Sequence, residues 1–363
     1  MAPLGFPGRD SCAGEHPRTL ARVPFTYALA LRTRFRGITQ RQGMVWRGSA
    51  GWAEWSPFLD YDGAEIVPWL RAADEAAELG WPAPLRQEVE VNATVPAVGP
   101  AQAASIVTAA GCRTAKIKVA EPGQSLADDL DRVAAVRAAL GASGRIRIDA
   151  NGAWDVEQAT TALSRLGRYD LEYAEQPCRT VDDLAALRVV LARAGVDVPV
   201  AADESIRRAA DPYLVARKQA ADIAVLKVQP LGGVRACLRI AAEIGLPVVV
   251  SSALESSIGI AAGVALAAAL PELPYACGLN TVRLFREDLV AHPLIAVDGR
   301  IQVRDVNPDP DLLTSGAADT ETRQFWQARL ERTRRLADEL SAQEPRQGLT
   351  QGPSQRQRGD LDG

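Results

Sequence analysis

Between Val89 and Thr281 the chain repeats one unit about every 24–30 residues: a short apolar strand, then an Ala/Leu-rich amphipathic stretch. The strand segments read VEVNATVPA, TAKIKVA, RIRIDAN, LEYAEQP, VPVAADES, IAVLKVQP, PVVVSSAL and YACGLNT. Between them lie helical patterns such as AQAASIVTAA, LADDLDRVAAVRAAL and GVRACLRIAAEIG. Strands that alternate with helices pair in parallel through crossovers. Eight such units predict a closed (β/α) barrel rather than an open sheet.

The flanks have a different texture. Tyr27 to Trp55 is patterned for extended structure around a Gly48–Gly51 turn, which predicts a small antiparallel meander in which Trp46, Trp52 and Trp55 serve as core. A helical stretch, AEIVPWLRAADEAAELG, follows. After the barrel, DLVAHPLIAVDGRIQVRD predicts a strand pair returning to the first module. The expected division is a loose extension at 1–22, the first part of a cap at 23–88, the barrel at 89–282, a return to the cap at 283–340 and a disordered tail at 341–363.

Composition narrows the class. With 47% apolar residues, a net charge of -4 and dispersed basic residues, the chain offers no nucleic-acid surface. Its most apolar run, residues 260–270, predicts a buried helix rather than a membrane span. Five scattered cysteines (Cys12, Cys112, Cys178, Cys237, Cys277) form no CxxC pair, which argues against zinc and against a disulfide framework and fits a reducing cytoplasm. A small molecule is the expected partner, and the oligomeric state stays open, a monomer included.

Only four of the 41 basic residues are lysine: Lys116, Lys118, Lys218 and Lys227. Arginine keeps its proton near neutral pH, whereas a buried lysine can serve as a base. Lys116, Lys118 and Lys227 fall at strand ends, where barrel active sites lie. Lys218 sits in a helical stretch and reads as a solvated surface residue.

Four successive barrel strands end in Asp149, Glu175, Asp203 and Lys227. Three carboxylates from adjacent strands can converge on one hard cation, magnesium or manganese, with room left for water and substrate. Lys116 and Lys118, two residues apart, share one strand face and aim at the mouth. The Lys118 and Lys227 strands are four steps apart in a ring of eight, so the two amines should oppose each other across the metal and lower each other's pKa. A metal-bound substrate carboxylate could then be deprotonated at its neighbouring carbon and held as an enediolate. The Gly232–Gly233 pair reads as a tight turn, with an anion cradle as the alternative. His16 and His292 lie outside the barrel, which excludes a histidine base.

In order and at fitting intervals, the KxK, DxN, ExP, DES and LK elements resemble the enolase superfamily, in particular its muconate-lactonizing-like subgroup. Within that subgroup, RTRFRGITQRQGMVWRG, GWAEWSPFLDYD, AKIKVAE, RIDANGAWD, LKVQPLGGV and SSALESSIGIAAG most resemble actinobacterial o-succinylbenzoate synthases. The resemblance implies an α/β fold, a modified TIM barrel of the (β/α)7β type capped by an α+β domain from both chain ends. It implies a lyase of menaquinone biosynthesis that converts 2-succinyl-6-hydroxy-2,4-cyclohexadiene-1-carboxylate to 2-succinylbenzoate by syn dehydration. Lys118 would be base and then acid, Lys227 the electrostatic partner opposite, and Lys116 the charge that keeps Lys118 neutral. Asp149, Glu175 and Asp203 would hold Mg2+, or Mn2+, with Asn151 (on the Asp149 strand face) and Glu204 behind them. Ser251, Ser252 and the Gly278–Leu279–Asn280 turn would meet the succinyl end, with Arg36 and Phe58 closing the site.

Two other readings compete. An N-acylamino acid racemase or dipeptide epimerase would use the same opposed lysines, although Pro230 stands where synthases with racemase side activity tend to carry arginine. A barrel that binds without catalysis is the alternative of another class.

Overall fold

The computed structural model describes residues 23–343. The expected extension at 1–22, with Cys12 and His16, lies outside the described residues, as does the expected tail beyond 343. The chain opens with the meander: β1 (Phe25–Phe35), β2 (Ile38–Arg47) and β3 (Trp52–Trp55), paired antiparallel in that order. Tyr27, Leu29 and Leu31 alternate inward along β1, the period of a strand with one buried face. Arg36 (φ 50°) and Gly37 (φ 79°) make the β1–β2 turn, the left-handed pair that matches strand twist in a two-residue hairpin. Helix α1 (Val67–Glu78) packs behind β3. A Cβ on Gly48 would lie 2.3 Å from the Ala77 carbonyl, so only glycine allows the β2–β3 turn to dock on the end of α1.

After β4 (Glu88–Glu90) the barrel begins: β5 (Ala93–Val95), α2 (Pro100–Ala110), β6 (Thr114–Lys118), α3 (Leu126–Leu140), β7 (Arg145–Asp149), α4 (Val156–Leu166), β8 (Leu171–Glu175), α5 (Val181–Ala194) and β9 (Val200–Ala202). Two short helices, α6 (Glu204–Arg207) and α7 (Leu214–Arg217), precede β10 (Ile223–Lys227), α8 (Val234–Glu243), β11 (Val248–Ser251) and α9 (Ser257–Ala269). Reciprocal capping boxes, Ser125 with Asp128 and Asp155 with Gln158, start α3 and α4. Residues 260–270 fall in and just after α9, which is buried on nearly every side, as expected of so apolar a run.

β5 through β11 form one seven-stranded parallel sheet in sequential order. The expected eighth strand is not a regular strand. YACGLNT joins both edges through single parallel bridges, Cys277 to Val91 and Gly278 to Ser251, then turns into a 3-10 helix at Asn280–Leu284. Those bridges, with Cys277 N donating to the Glu90 carbonyl and Gly278 N to that of Val250, close the curled sheet into a cylinder.

The last part of the chain departs from expectation in its partner. β12 (Arg300–Gln302) pairs antiparallel with β4, at the entry to the first barrel strand, and not with the meander. Contact with the meander runs instead through bridges from Leu31 to Phe285 and from Tyr27 to Ala317. Beyond α10 (Pro310–Ser315), α11 (Thr320–Gln343) completes the cap: Trp326 meets Trp55 edge-on at 5.5 Å and its indole N–H donates to Gln42 at 3.1 Å. Ser341 to Gln343, expected in the tail, are thus the end of that helix. Among the described residues no helix is long and apolar enough to cross a membrane.

Candidate active site

In parallel register, Lys118 pairs with Asp149 and Asp149 with Glu175, and Asp203 follows the end of the next strand. That alignment brings the strand-end side chains to one rim. Asp149, Glu175 and Asp203 are at most 1% exposed, and Lys116, Lys118 and Lys227 are buried beside them. Lys118 Nζ lies 2.5 Å from Asp149 Oδ2 and 2.6 Å from Asn151 Oδ1. Lys116 Nζ donates to the same Asp149 oxygen at 3.2 Å and to Glu175 Oε1 at 2.7 Å. Lys227 Nζ donates to Asp203 Oδ2 at 2.6 Å. The Lys118 and Lys227 strands are separated by three others, and both amines line one cavity.

Lys227 is shifted in the direction expected of it, but by groups other than the opposed lysine. Burial acts to lower the Lys116 pKa, but the charges of Glu175 and Asp149 outweigh it and hold the ammonium well above its ordinary value. Lys227 is lowered, chiefly by burial, with Arg207 and Lys116 adding to the effect and Asp203 opposing it. Asp149 is held far below the usual range: burial would raise it, and Lys118 with Lys116 overcomes that. Glu175 is raised by burial and by the Asp149 charge, and Asp203 by burial and by Glu204.

As placed, among the described residues no three acidic, histidine or cysteine side chains make a metal cage, because each carboxylate takes a lysine as counter-ion. The donor set nevertheless suits a hard cation. It is oxygen-only and deeply buried on three successive strands, and Glu175 Oε2 has no hydrogen-bond donor at all.

Asn151 reaches the site from a turn, not from the Asp149 strand face as expected: it is left-handed (φ 49°) and lies beyond the end of β7. From there its amide touches Lys118 and, at 3.1 Å, Glu204. Glu204 also pairs with Arg207 at 2.5 Å. The Gly232–Gly233 turn is no open cradle. A Cβ on Gly233 would lie 1.9 Å from the Glu75 carboxylate, which accepts from the Arg235 N–H in the first turn of α8. Lys218 is exposed and paired with Asp182.

Phe35, Arg36 and Phe58 form the roof, with Ser251, Ser252 and Gly278 on the wall. Arg36 and Arg41 both stack on the Phe58 ring, their guanidinium carbons 4.6 and 4.3 Å from its centroid. Leu279 and Asn280 do not line the cavity. Asn280 faces away, accepting from Ala296 N at 2.9 Å. In its place Thr281 faces the cavity, 2.8 Å from Ser252 Oγ, and Thr94, Ala253 and Leu254 join it. Gln176 was also missed. Fully buried and left-handed (φ 41°), it accepts from the backbone N–H of Asp203 and of Ser205, fixing the corner that presents Asp203. Its setting between Glu175 and Pro177 was the available signal.

The cavity holds only about 20 Å³, because the cap sits directly on it. Larger hollows of 580, 520 and 740 Å³ lie elsewhere and contain none of the strand-end lysines or carboxylates. The chemistry of the lining, not its size, marks the small cavity as the site.

Comparison with known proteins agrees with this architecture. The family model described as enolase N-terminal domain-like matches residues 26–77, and the one described as enolase C-terminal domain-like matches 100–308. An o-succinylbenzoate synthase of Thermobifida fusca is 60% identical over 304 residues, covering 84% of this chain and 93% of that protein. One from Mycobacterium tuberculosis H37Rv is 53% identical, covering 83% of this chain and 90% of its own length. Among solved structures, muconate lactonizing enzyme from Pseudomonas putida superposes with a TM-score of 0.67 at 22% identity over 82% of this chain and 98% of that one, a likeness of fold. Members of the superfamily depend on a divalent metal. With relatives this similar over nearly their whole length, the chain belongs to the enolase superfamily and, within it, to the o-succinylbenzoate synthases.

Proposed function

We propose that this chain dehydrates 2-succinyl-6-hydroxy-2,4-cyclohexadiene-1-carboxylate to 2-succinylbenzoate and water. The observation that carries this reading is the pair of buried amines, Lys118 and Lys227, which line one cavity from strands separated by three others, beside Asp149, Glu175 and Asp203. Those three carboxylates would hold a divalent cation, magnesium or manganese, once rotated from their lysine partners. When bound, the cation supplies electrophilic stabilisation of charge developing on the substrate carboxylate.

The chain's own residues do the rest. Lys118, oriented by Asn151 and Asp149, takes the proton from the ring carbon bearing the carboxylate. The hydroxyl on the neighbouring carbon then leaves with the C–O bonding pair, and the Lys118 ammonium returns the proton to it as water. Lys116 stays charged beside Asp149 and Glu175. Lys227 places positive charge on the other face. Ser251, Ser252 and Thr281 offer hydroxyls to the polar end of the substrate. A cavity of about 20 Å³ is far below the roughly 300 Å³ of ordinary ligand sites. Substrate entry therefore requires Phe35, Arg36 and Phe58 to move outward.

The test is incubation of the protein with the cyclohexadiene and Mg2+ while following conversion of diene absorbance to that of the aromatic product. Turnover of an N-acylamino acid, with none of the diene, would replace this reading with that of a racemase.

A further inference from the structure

Arg207 closes the short helix α6, four residues beyond Asp203, and its side chain is 1% exposed. It is not among the cavity-lining residues. Its Nε donates to Asp203 Oδ1 at 2.9 Å, leaving Asp203 Oδ2 turned toward Lys227 and the site. A second arm holds Glu204 at 2.5 Å. The third donates to the phenol oxygen of Tyr61, in the cap segment that also carries Phe58. Tyr61 is buried edge-on against Trp69 at 5.1 Å, and Arg329 of α11 binds its carbonyl and that of Phe58 at 2.6 and 2.9 Å. One rigid guanidinium thus joins a strand-end carboxylate to the roof of the cavity. A lysine, with one point charge, could not span those three partners.

We propose that Arg207 is a positioning residue that ties the orientation of Asp203 to the seating of cap segment 57–61, so that divalent-cation binding and cap closure favour each other. This rests on the reading of Asp203 as a metal ligand. Holding Asp203 in its ligating rotamer holds the guanidinium fork, and the fork fixes the Tyr61 hydroxyl. By linkage, a seated Tyr61 must return the same advantage to the cation.

Two measurements on the full chain test it: Mg2+ affinity by titration calorimetry, and Mg2+-induced slowing of amide exchange in residues 55–62, where the Tyr61 N–H is bonded to the Phe58 carbonyl. Arg207→Met should weaken Mg2+ binding by about 10-fold or more, the range typical of residues that orient a ligand from behind. Tyr61→Phe, which removes one hydroxyl from a residue that does not line the cavity, should weaken it about fivefold and abolish most of the exchange slowing. A merely structural role would lower the melting temperature of Tyr61→Phe and leave both readings at wild-type values, and that outcome overturns the proposal. If Arg207→Met does not fold, Tyr61→Phe decides alone. If the wild-type chain binds no Mg2+, the ligand reading falls and this proposal with it. If the wild type binds and Arg207→Met binds equally well, this proposal alone falls.

Discussion

Ser251 and Gly278 stand side by side at the seam of the cylinder, bridged in parallel so closely that a Cβ on Gly278 would lie 2.5 Å from Ser251 Oγ. The closing segment can approach β11 only because position 278 has no side chain. Gly278→Ala should therefore push the seam apart or turn the Ser251 hydroxyl out of the cavity wall. Overpacking of this kind costs about 1–3 kcal/mol, and a misplacement near 1 Å at a reacting centre lowers turnover roughly 100-fold. Thermal melting and kcat/KM should both fall, and adding Ser251→Gly should restore the melting temperature. A single variant that melts and turns over like wild type would show that the seam is looser than drawn.

Beneath the cavity wall, Glu255 is buried with its carboxylate accepting from Ala253 N at 2.7 Å. Burial first, and the Glu54 carboxylate second, push its pKa from the ordinary 4.5 up to about 7, with Arg41 opposing. A carboxyl raised in the folded state contributes stability that is complete below its unfolded pKa and is lost as pH rises through the folded one. Stability should therefore decline between about pH 4.5 and pH 7, by on the order of 3 kcal/mol from this group. Glu255→Gln should reduce that decline, leaving the share that belongs to the other carboxyls raised by burial, Glu54, Glu175 and Asp203 among them. Denaturant melts at pH 5 and pH 8 read the difference directly. Equal slopes for wild type and variant would remove Glu255 from the account.

How much of this was legible in the residues depended on whether the cause was local. The strand ends carrying Lys116, Lys118, Asp149, Glu175, Asp203 and Lys227 could be read because strand periodicity and barrel topology alone place them at one rim. The partner of β12 could not, since its pattern marks a strand without saying that β4 will receive it. Asn280 looked like a wall residue but is turned toward Ala296 by the 3-10 helix that it begins, leaving Thr281 to face the cavity. Gln176 and Asn151 act from left-handed turns that no apolar pattern announces. Nor did spacing reveal which carboxylates Lys116 would pair with, because that depends on which oxygens lie within 3.2 Å of its amine.

Cation binding should appear as stability. A ligand at 100 times its Kd adds about 2.7 kcal/mol to the folded state, which for a chain of this size raises Tm by roughly 5–10 °C at about 2–4 °C per kcal/mol. Melting in saturating Mg2+ against a chelator should show a shift of that order, and Asp203→Asn should abolish most of it. Mn2+ should substitute, since the donors are all oxygen. A wild-type Tm indifferent to both ions would leave the three carboxylates as counter-ions for the lysines and nothing more.

The two lysines should separate by what each substitution retains. Lys118→Arg keeps a positive charge beside Asp149 and Asn151 but has no accessible neutral form near neutral pH. If Lys118 is base and then acid, turnover should fall by roughly 10²–10⁴, the usual worth of a general acid–base group, while Mg2+ still raises the melting temperature. Lys227→Ala removes the second buried amine of the cavity and leaves Lys118 in place. It should simply depress dehydration, whereas in a racemase the same change would still permit α-proton exchange of one substrate enantiomer in heavy water, detectable by mass spectrometry of recovered substrate. Substantial turnover by Lys118→Arg would move the proton-transfer role to Lys227 and reverse the assignment of the two faces.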